Sequence, residues 1–420
     1  MGAACVARRQ GLTLLYRMKL VRLDSLKGTI YWTYRSWMEG TYIPNDLDSW
    51  TPIFNFDKGY VDADFEGNAK RWDFLAPFFR SHGYHLYHID PQTKCAEAPA
   101  SPSAPGFSSE PQDSYPYARR AWVEDAELTF PGLQAFKVWP ARDANGREVF
   151  IRLVSGSVPT DELKIYQLLN SPEARKDPRN HTLPVLDFLR FDGLVFVVMP
   201  RWARSFDCDG WQEPFSKISE LFDMAEIFLE GLTFLHEHRI AHRDITQQNT
   251  VMNLITGTKN TKPLHNMRAK GDVRHAYIDF DSSVLFSKNV DLHSVELGRE
   301  MRVPCVYAGL VDGLCNPFKD DVRCLGLMLE QYVRHIEDQV PEIGNFFDWM
   351  VRSEDSFIPM AADTLQELRR IRGMIDNSIL SQEPRWCQWR HGRNIPFVWD
   401  FHALQNSVKT LLSVPVLVSE

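Results

Sequence analysis

No window of the chain approaches the roughly 18 uncharged apolar residues that a membrane-crossing helix needs. Cysteine is scarce and unpatterned. Seven occur in 420 residues, at 5, 95, 208, 305, 315, 324 and 387, odd in number and never as C-x-x-C. That excludes a disulfide framework and a zinc-ribbon type of site, and it reads as reduced thiols in an intracellular, cytoplasmic or nuclear protein. A basic excess is missing too: 47 Lys and Arg face 55 Asp and Glu, a net charge of −8. A nucleic-acid binder would want the opposite balance. Apolar residues at 44%, aromatics at 12% and charged residues at 24% are the usage of an ordinary globular protein.

The amino terminus departs from the overall acidity. Residues 1–23 carry Arg8, Arg9, Arg17, Lys19 and Arg22 and no acid. A basic, acid-free leader is one mark of a mitochondrial transit peptide, but the usual serines are absent, so a solvated basic tail is the expectation. Gly2 matches a myristoylation site, yet Val6 stands where Ser or Thr belongs. Residues 30–90 are rich in aromatics (Trp32, Trp37, Trp50, Trp72, Phe78, Phe79) and carry turn signals with no long helical period. The expectation is an extension, 1–90, that packs on the rest of the chain, because it holds too little to close a core alone. Residues 91–119 hold six prolines among Ser, Ala and Gly and read as a linker or exposed loop.

Beyond Tyr117 the texture changes. Apolar runs at 136–139, 148–154 and 193–199 predict strands. Between them, 161–170 predicts a helix, with Thr160 placed to cap it and Leu163, Tyr166 and Leu169 on one face. A longer helix is predicted over 218–238, where Leu221, Met224, Ala225, Phe228, Leu232 and Leu235 recur at three- and four-residue steps. Short strands at 251–252 and 276–280 follow, then helices near 320–335, 342–352 and 362–375. The expected fold class is α+β, a small strand-rich part with one helix followed by a larger helical part, over 120–200 and 201–380. Residues 381–420 form a further extension.

Phosphoryl transfer from a nucleotide needs a carboxylate to accept the attacking hydroxyl's proton, and oxygen ligands for magnesium beside the phosphates. The chain offers His242-Arg243-Asp244-Ile245-Thr246-Gln247-Gln248-Asn249 directly after the long helix, and Ile278-Asp279-Phe280-Asp281 after a further strand. The first resembles the H-R-D-x-x-x-x-N catalytic loop of the eukaryotic protein kinase superfamily and the second its D-F-G. A lone H-R-D is weak; the two motifs at this spacing and in this order are specific. Asp321-Val322-Arg323-Cys324-Leu325-Gly326 resembles the segment that opens the family's buried central helix, and Asp321 matches the aspartate tying that helix to the catalytic loop. Glu162 matches the glutamate that pairs with the ATP lysine, and Met199-Pro200-Arg201 the hinge. In wording ("DPRNH" at 177–181, "CNPF" at 315–318) the chain resembles fungal protein kinase-like proteins.

The resemblance covers about 120–380 and implies a two-lobed protein kinase-like fold. It implies Asp244, Arg243 and Asn249 as catalytic residues, and Asn249 and Asp279 as magnesium ligands. Arg152, Glu162, Lys137, Met199 and Val251 are the implied ATP-binding positions. The partner would be a protein substrate or a signalling protein, with no nucleic acid and no transmembrane segment.

The nucleotide half departs from the pattern. Where the family has V-A-I-K, the chain has Val149-Phe150-Ile151-Arg152. Arg152 is a planar fork where a compact ammonium belongs, and Phe150 is a phenyl ring where a small residue lies against adenine. Only Gly132 remains of the glycine loop, although Phe136-Lys137 resembles the loop lysine of with-no-lysine kinases. Asp281 replaces the last glycine of D-F-G, no A-P-E precedes Asn316, and Ile358 replaces its arginine partner. Thr246 stands where serine/threonine kinases have lysine, which leaves the substrate class open. Three functions therefore compete: an atypical active kinase, a pseudokinase serving as a binding module, and a small-molecule phosphotransferase of the aminoglycoside or choline kinase type.

Overall fold

The computed structural model describes residues 26–396 except 52, 56–59, 63–64, 91–94, 100–114, 122–127, 129, 132–135, 206–214, 257–266, 300–312, 386 and 391. The basic leader, most of the Pro-rich stretch, the Gly132 loop, residues 257–266 between the strands at 251–252 and 276–280, and most of the extension beyond 381 lie outside the described residues.

The chain is mixed α+β. Five strands make one curled antiparallel sheet: β1 (His85–Leu86), β2 (Val138–Arg142), β3 (Glu148–Ser155), β4 (Asp187–Phe191) and β5 (Leu194–Pro200). Their spatial order is β4-β5-β3-β2-β1. Successive side chains of a strand point to opposite faces, and β3 shows the consequence. Val149, Ile151 and Leu153 join one apolar cluster, while Val154 joins another on the far side. Phe150 and Arg152 share the face of Val154.

The first cluster contains a correction. The sequence of 30–90 shows no long helical period, yet the structure builds two helices there, α1 (Leu26–Glu39) and α2 (Phe65–Ser81). On α2 the inward stripe is Asn68, Trp72, Leu75 and Phe79, spaced by four, three and four. Pro77 inside the helix and the dense aromatics around it mask that period. Trp72 stacks on Trp139 of β2, ring centroids 5.5 Å apart, and its indole N–H donates to the Phe136 carbonyl at 3.1 Å. Proline lacks the N–H that would reach back four residues. The carbonyl it leaves, that of Asp73, receives Arg35 Nη2 of α1 at 3.5 Å. The same guanidinium lies over the Trp32 and Phe74 rings at 5.6 and 5.1 Å. Thus α1 repairs α2, and both pack on the outer face of the sheet.

Helix α3 (Asp161–Leu169) starts where Thr160 accepts the Leu163 N–H at 3.2 Å. That bond satisfies a donor the first turn cannot pair internally. Helix α4 (Ile218–Glu237) buries Leu221, Phe228, Leu232 and Leu235 fully. Around it lie α5 (Pro317–Val333), α6 (Pro341–Val351) and α7 (Ala361–Met374). Asn316 caps α5 and Pro317 opens it, the order these residue types favour. Gly326 lets α6 close on α5: a β-carbon there would sit 2.8 Å from Val351 Cγ2.

Between sheet and helices runs a small antiparallel sheet of β6 (Ala203–Arg204), β7 (Thr250–Met252) and β8 (His275–Tyr277), in that order. Residues Arg119–Ala121 pair in parallel with Leu254–Thr256, which ties the end of the Pro-rich stretch to this region. Cys95, Cys315, Cys324 and Cys387 are free thiols. Among the described residues no helix is long and apolar enough to cross a membrane.

Candidate functional site

The loop after α4 is held from below. Ile240–Ala241 pairs with Val284–Leu285, and the chain then enters His242 and Arg243. Asp321 of α5, 1% exposed, accepts both of their backbone N–H groups at 2.7 Å, and its Oδ2 also meets His236 Nε2 at 3.1 Å. A buried carboxylate is costly unless its lone pairs are filled. Here three donors fill them, and in return the loop is fixed. Arg243 sits at φ +65° and Asp279 at φ +68°, a region that non-glycine residues rarely occupy. Such strain is kept where the surroundings over-determine it.

Asn249 joins the two motif segments. Its Nδ2 donates to the Asp244 carbonyl at 2.8 Å and to Asp244 Oδ2 at 2.9 Å. Its own carbonyl receives the Ile278 N–H at 3.0 Å, next to Asp279. Asp244, Asn249 and Asp279 therefore come together. The Arg243 guanidinium turns the other way and donates to the carbonyls of Ser282 (3.3 Å) and Gly298 (2.9 Å). It braces the segment after Asp279.

His242 is held at both ring nitrogens. Nδ1 accepts the Asp244 N–H at 3.3 Å, and Nε2 meets the Ile278 carbonyl at 3.0 Å. Its ring meets Phe280 at 5.1 Å, and Phe280 meets Tyr166 of α3 edge-on at 5.4 Å. A column of three rings thus runs from α3 to the loop pinned by Asp321.

Above Asp279 stands Arg152 of β3. Its Nε donates to Glu162 Oε1 and its Nη2 to Asp279 Oδ1, both at 2.6 Å. Asp281 Oδ2 lies 3.8 Å from the same nitrogen and 3.9 Å from Lys137 Nζ. One guanidinium thus serves three carboxylates. Burial pushes Glu162 up to about 7, against the pull of Arg152 and with the push of the neighbouring Asp279 charge. Burial would raise Asp279 too, but Arg152 reverses that and holds its carboxyl below the usual aspartate range.

The remaining expected positions do not open onto this cluster. Met199 and Val251 are buried side chains of the main apolar core. Phe150 is half-buried, with the Arg201 guanidinium 5.4 Å from its ring centre and 5.8 Å from that of Tyr87. Arg201 Nη1 also donates to the Tyr87 hydroxyl and the Leu128 carbonyl, each at 3.3 Å. Sequence reasoning marks Arg201 only as part of a hinge and Asp281 only as a departure. Asp281 joins the Arg152 cluster and Arg201 packs on Phe150 and Tyr87 outside it, and no spacing rule announces either, because Arg152, Lys137 and Tyr87 lie far along the chain.

Where the expected A-P-E partner arginine is replaced by Ile358, the structure has another ion group. Asp355 takes Arg323 Nη1 at 2.6 Å and Arg299 Nη2 at 2.7 Å, and Arg299 Nε also reaches Asp320 at 3.1 Å. Ile358 itself is buried at 3% exposure.

No family model matches the chain, and neither does any curated protein. Among the described residues, no three His, Cys, Asp or Glu side chains gather as a metal site made of protein ligands alone would require. A cation held partly by phosphate oxygens needs fewer.

Proposed function

We propose that the chain is a protein kinase-like phosphotransferase with a two-lobed fold, which moves the γ-phosphate of ATP to a hydroxyl of a protein substrate. The small lobe is the β1–β5 sheet with α3, and the larger lobe is the α4–α7 region. The observation that carries the reading is the junction of Asp244 and Asn249, on the loop pinned by Asp321, with the Ile278-Asp279 segment beside them. In this reading Asp244 accepts the proton of the attacking hydroxyl. Asn249 Oδ1 and the Asp279 carboxylate are the hard oxygen donors for magnesium, one amide and one acid, a set that suits a cation shared with phosphates. Bound there, the ion neutralises phosphate charge. Glu162 holds Arg152, which would have to leave Asp279 to reach a phosphate, and Lys137 is a second cation close by.

A second reading, a pseudokinase that binds partners without transfer, is favoured by two observations. Arg152 already occupies Asp279, and Arg201 with Phe150 fills the region where a base would lie. Thermal unfolding with Mg-ATP separates the readings. At about 100 times its dissociation constant the ligand should stabilise the fold by roughly 2.7 kcal/mol, a melting shift of roughly 5–10 °C. No shift at millimolar Mg-ATP refutes the phosphotransferase. With a shift, Asp244→Asn should abolish phosphate transfer and leave the shift, since it removes the proton acceptor alone. A shift with no transfer by the unaltered chain establishes the pseudokinase.

A further inference from the structure

Helix α1 is inverted. Its buried side chains are Trp32, Thr33 and Ser36, two of them small and polar. The opposite face carries Leu26, Ile30, Tyr31, Tyr34, Trp37 and Met38, each at least 50% exposed. At 100° per residue these six fall within one arc of about 140°, outside the arc of about 100° that holds the buried three. Lys27 is the one charge in the arc. An amphipathic helix normally buries its apolar stripe, so the fold has spent the less apolar face of α1 on the sheet and left the more apolar one outside. Contiguous exposed apolar surface of this kind marks a contact.

Charge identifies the contact. Residues 1–27 hold six basic groups (Arg8, Arg9, Arg17, Lys19, Arg22, Lys27) against Asp24 alone, a net +5, so the remaining residues carry −13. Eight large apolar residues, from Leu12 to Leu23, lie among those charges. A second copy of the chain would bring two such positive segments together. An anionic lipid surface instead attracts the basic segment and accepts the apolar face, while repelling the acidic body and so orienting it. Tyr31, Tyr34 and Trp37 are the residue types that settle at the headgroup level, and Lys27 can extend its ammonium outward from among them.

We propose that α1, together with the basic segment before it, docks the protein on the surface of an anionic bilayer, lying in the interface without crossing it. The proposal is independent of the cleft's chemistry.

Cosedimentation of the full chain with vesicles tests it. The chain should bind phosphatidylcholine vesicles containing roughly 30% phosphatidylserine and release them when salt rises from about 0.1 to about 1 M, where the Debye length falls to about 3 Å. Neutral vesicles should bind it at least tenfold more weakly. Ile30→Ser/Trp37→Ser, both on the outer face, should lower partitioning more than tenfold while leaving the melting temperature unchanged. Replacing Arg17 by Gln should lower it about fivefold, the worth of one charge near such a surface. The lipid and salt arms use the unaltered chain, so they decide even if a variant misfolds. Absent binding, equal binding to neutral vesicles, or unchanged binding by the double variant each overturns the proposal. So does self-association that the double variant abolishes in a chain that ignores vesicles, which gives the face to a second copy.

Discussion

On the Asp244 side, the floor of the site, one buried carboxylate with three filled bonds fixes two backbone N–H groups and His236. On the Arg152 side, its roof, one guanidinium is divided among three carboxylates, and Phe150 of the same strand lies under a second arginine. The floor is over-determined by geometry. The roof is a balance of charges that a ligand can redistribute. The two halves of one site can therefore be altered separately, and three experiments measure how separate they are.

The largest effect is expected from Asp321→Ala. It strands two backbone N–H groups and His236 in a buried setting, and removing one partner of such a cluster costs about 3–5 kcal/mol. Denaturant unfolding should show that loss. A loss below about 1 kcal/mol would mean that the ring column, not Asp321, holds the floor.

Next comes the roof's dependence on pH. Glu162 lies at about 7 in the fold against an ordinary 4.5. The folded chain therefore binds that proton more tightly than the unfolded one. The associated stability is full below about 4.5 and is lost as pH rises through 7, by at most about 3 kcal/mol. Asp279 is held below 3.8 and stays out of that window. Buried His275 and His335, pushed down to about 3 and about 4, gain stability over the same range, so Glu162 is read by difference: between pH 4.5 and 7.5 the melting temperature of the unaltered chain should drop relative to that of Glu162→Gln. A Gln variant with the same slope would place the titration elsewhere.

The smallest effect concerns Phe150. If its ring and Arg201 obstruct the base, Phe150→Ala should tighten Mg-ATP binding about tenfold in calorimetry, roughly 1.4 kcal/mol. Unchanged affinity would leave the obstruction to the Gly132 loop.

Local order was the part of the fold open to sequence reading. Thr160 announced α3, and the three- and four-residue steps from Leu221 to Leu235 announced α4, because caps and periods act within a turn or two. Helix α2 hid behind Pro77, whose stray carbonyl is satisfied by Arg35, 38 residues earlier in sequence than Asp73. Helix α1 hid because its pattern is reversed: the side chains that mark a buried stripe are the ones facing out. In the site, Asp244, Asn249 and Asp279 could be named from their motifs. The capture of Asp279 by Arg152 could not, since 127 residues separate them and only the packing of β3 against the segment after β8 brings them to 2.6 Å.

The cover that α2 places over the sheet bears on where the chain can be cut. A fragment beginning at residue 120 would carry Arg152, Asp244, Asn249 and Asp279 and still present Trp139, Ile151, Phe196 and Val198 to water, all of them wholly enclosed in the intact chain. It would also lack β1 at the sheet's edge. Starting instead at about 41 keeps α2 but leaves the Asp73 carbonyl without Arg35. The smallest piece expected to behave as the whole therefore begins at the first turn of α1, and expression trials should be designed from that end.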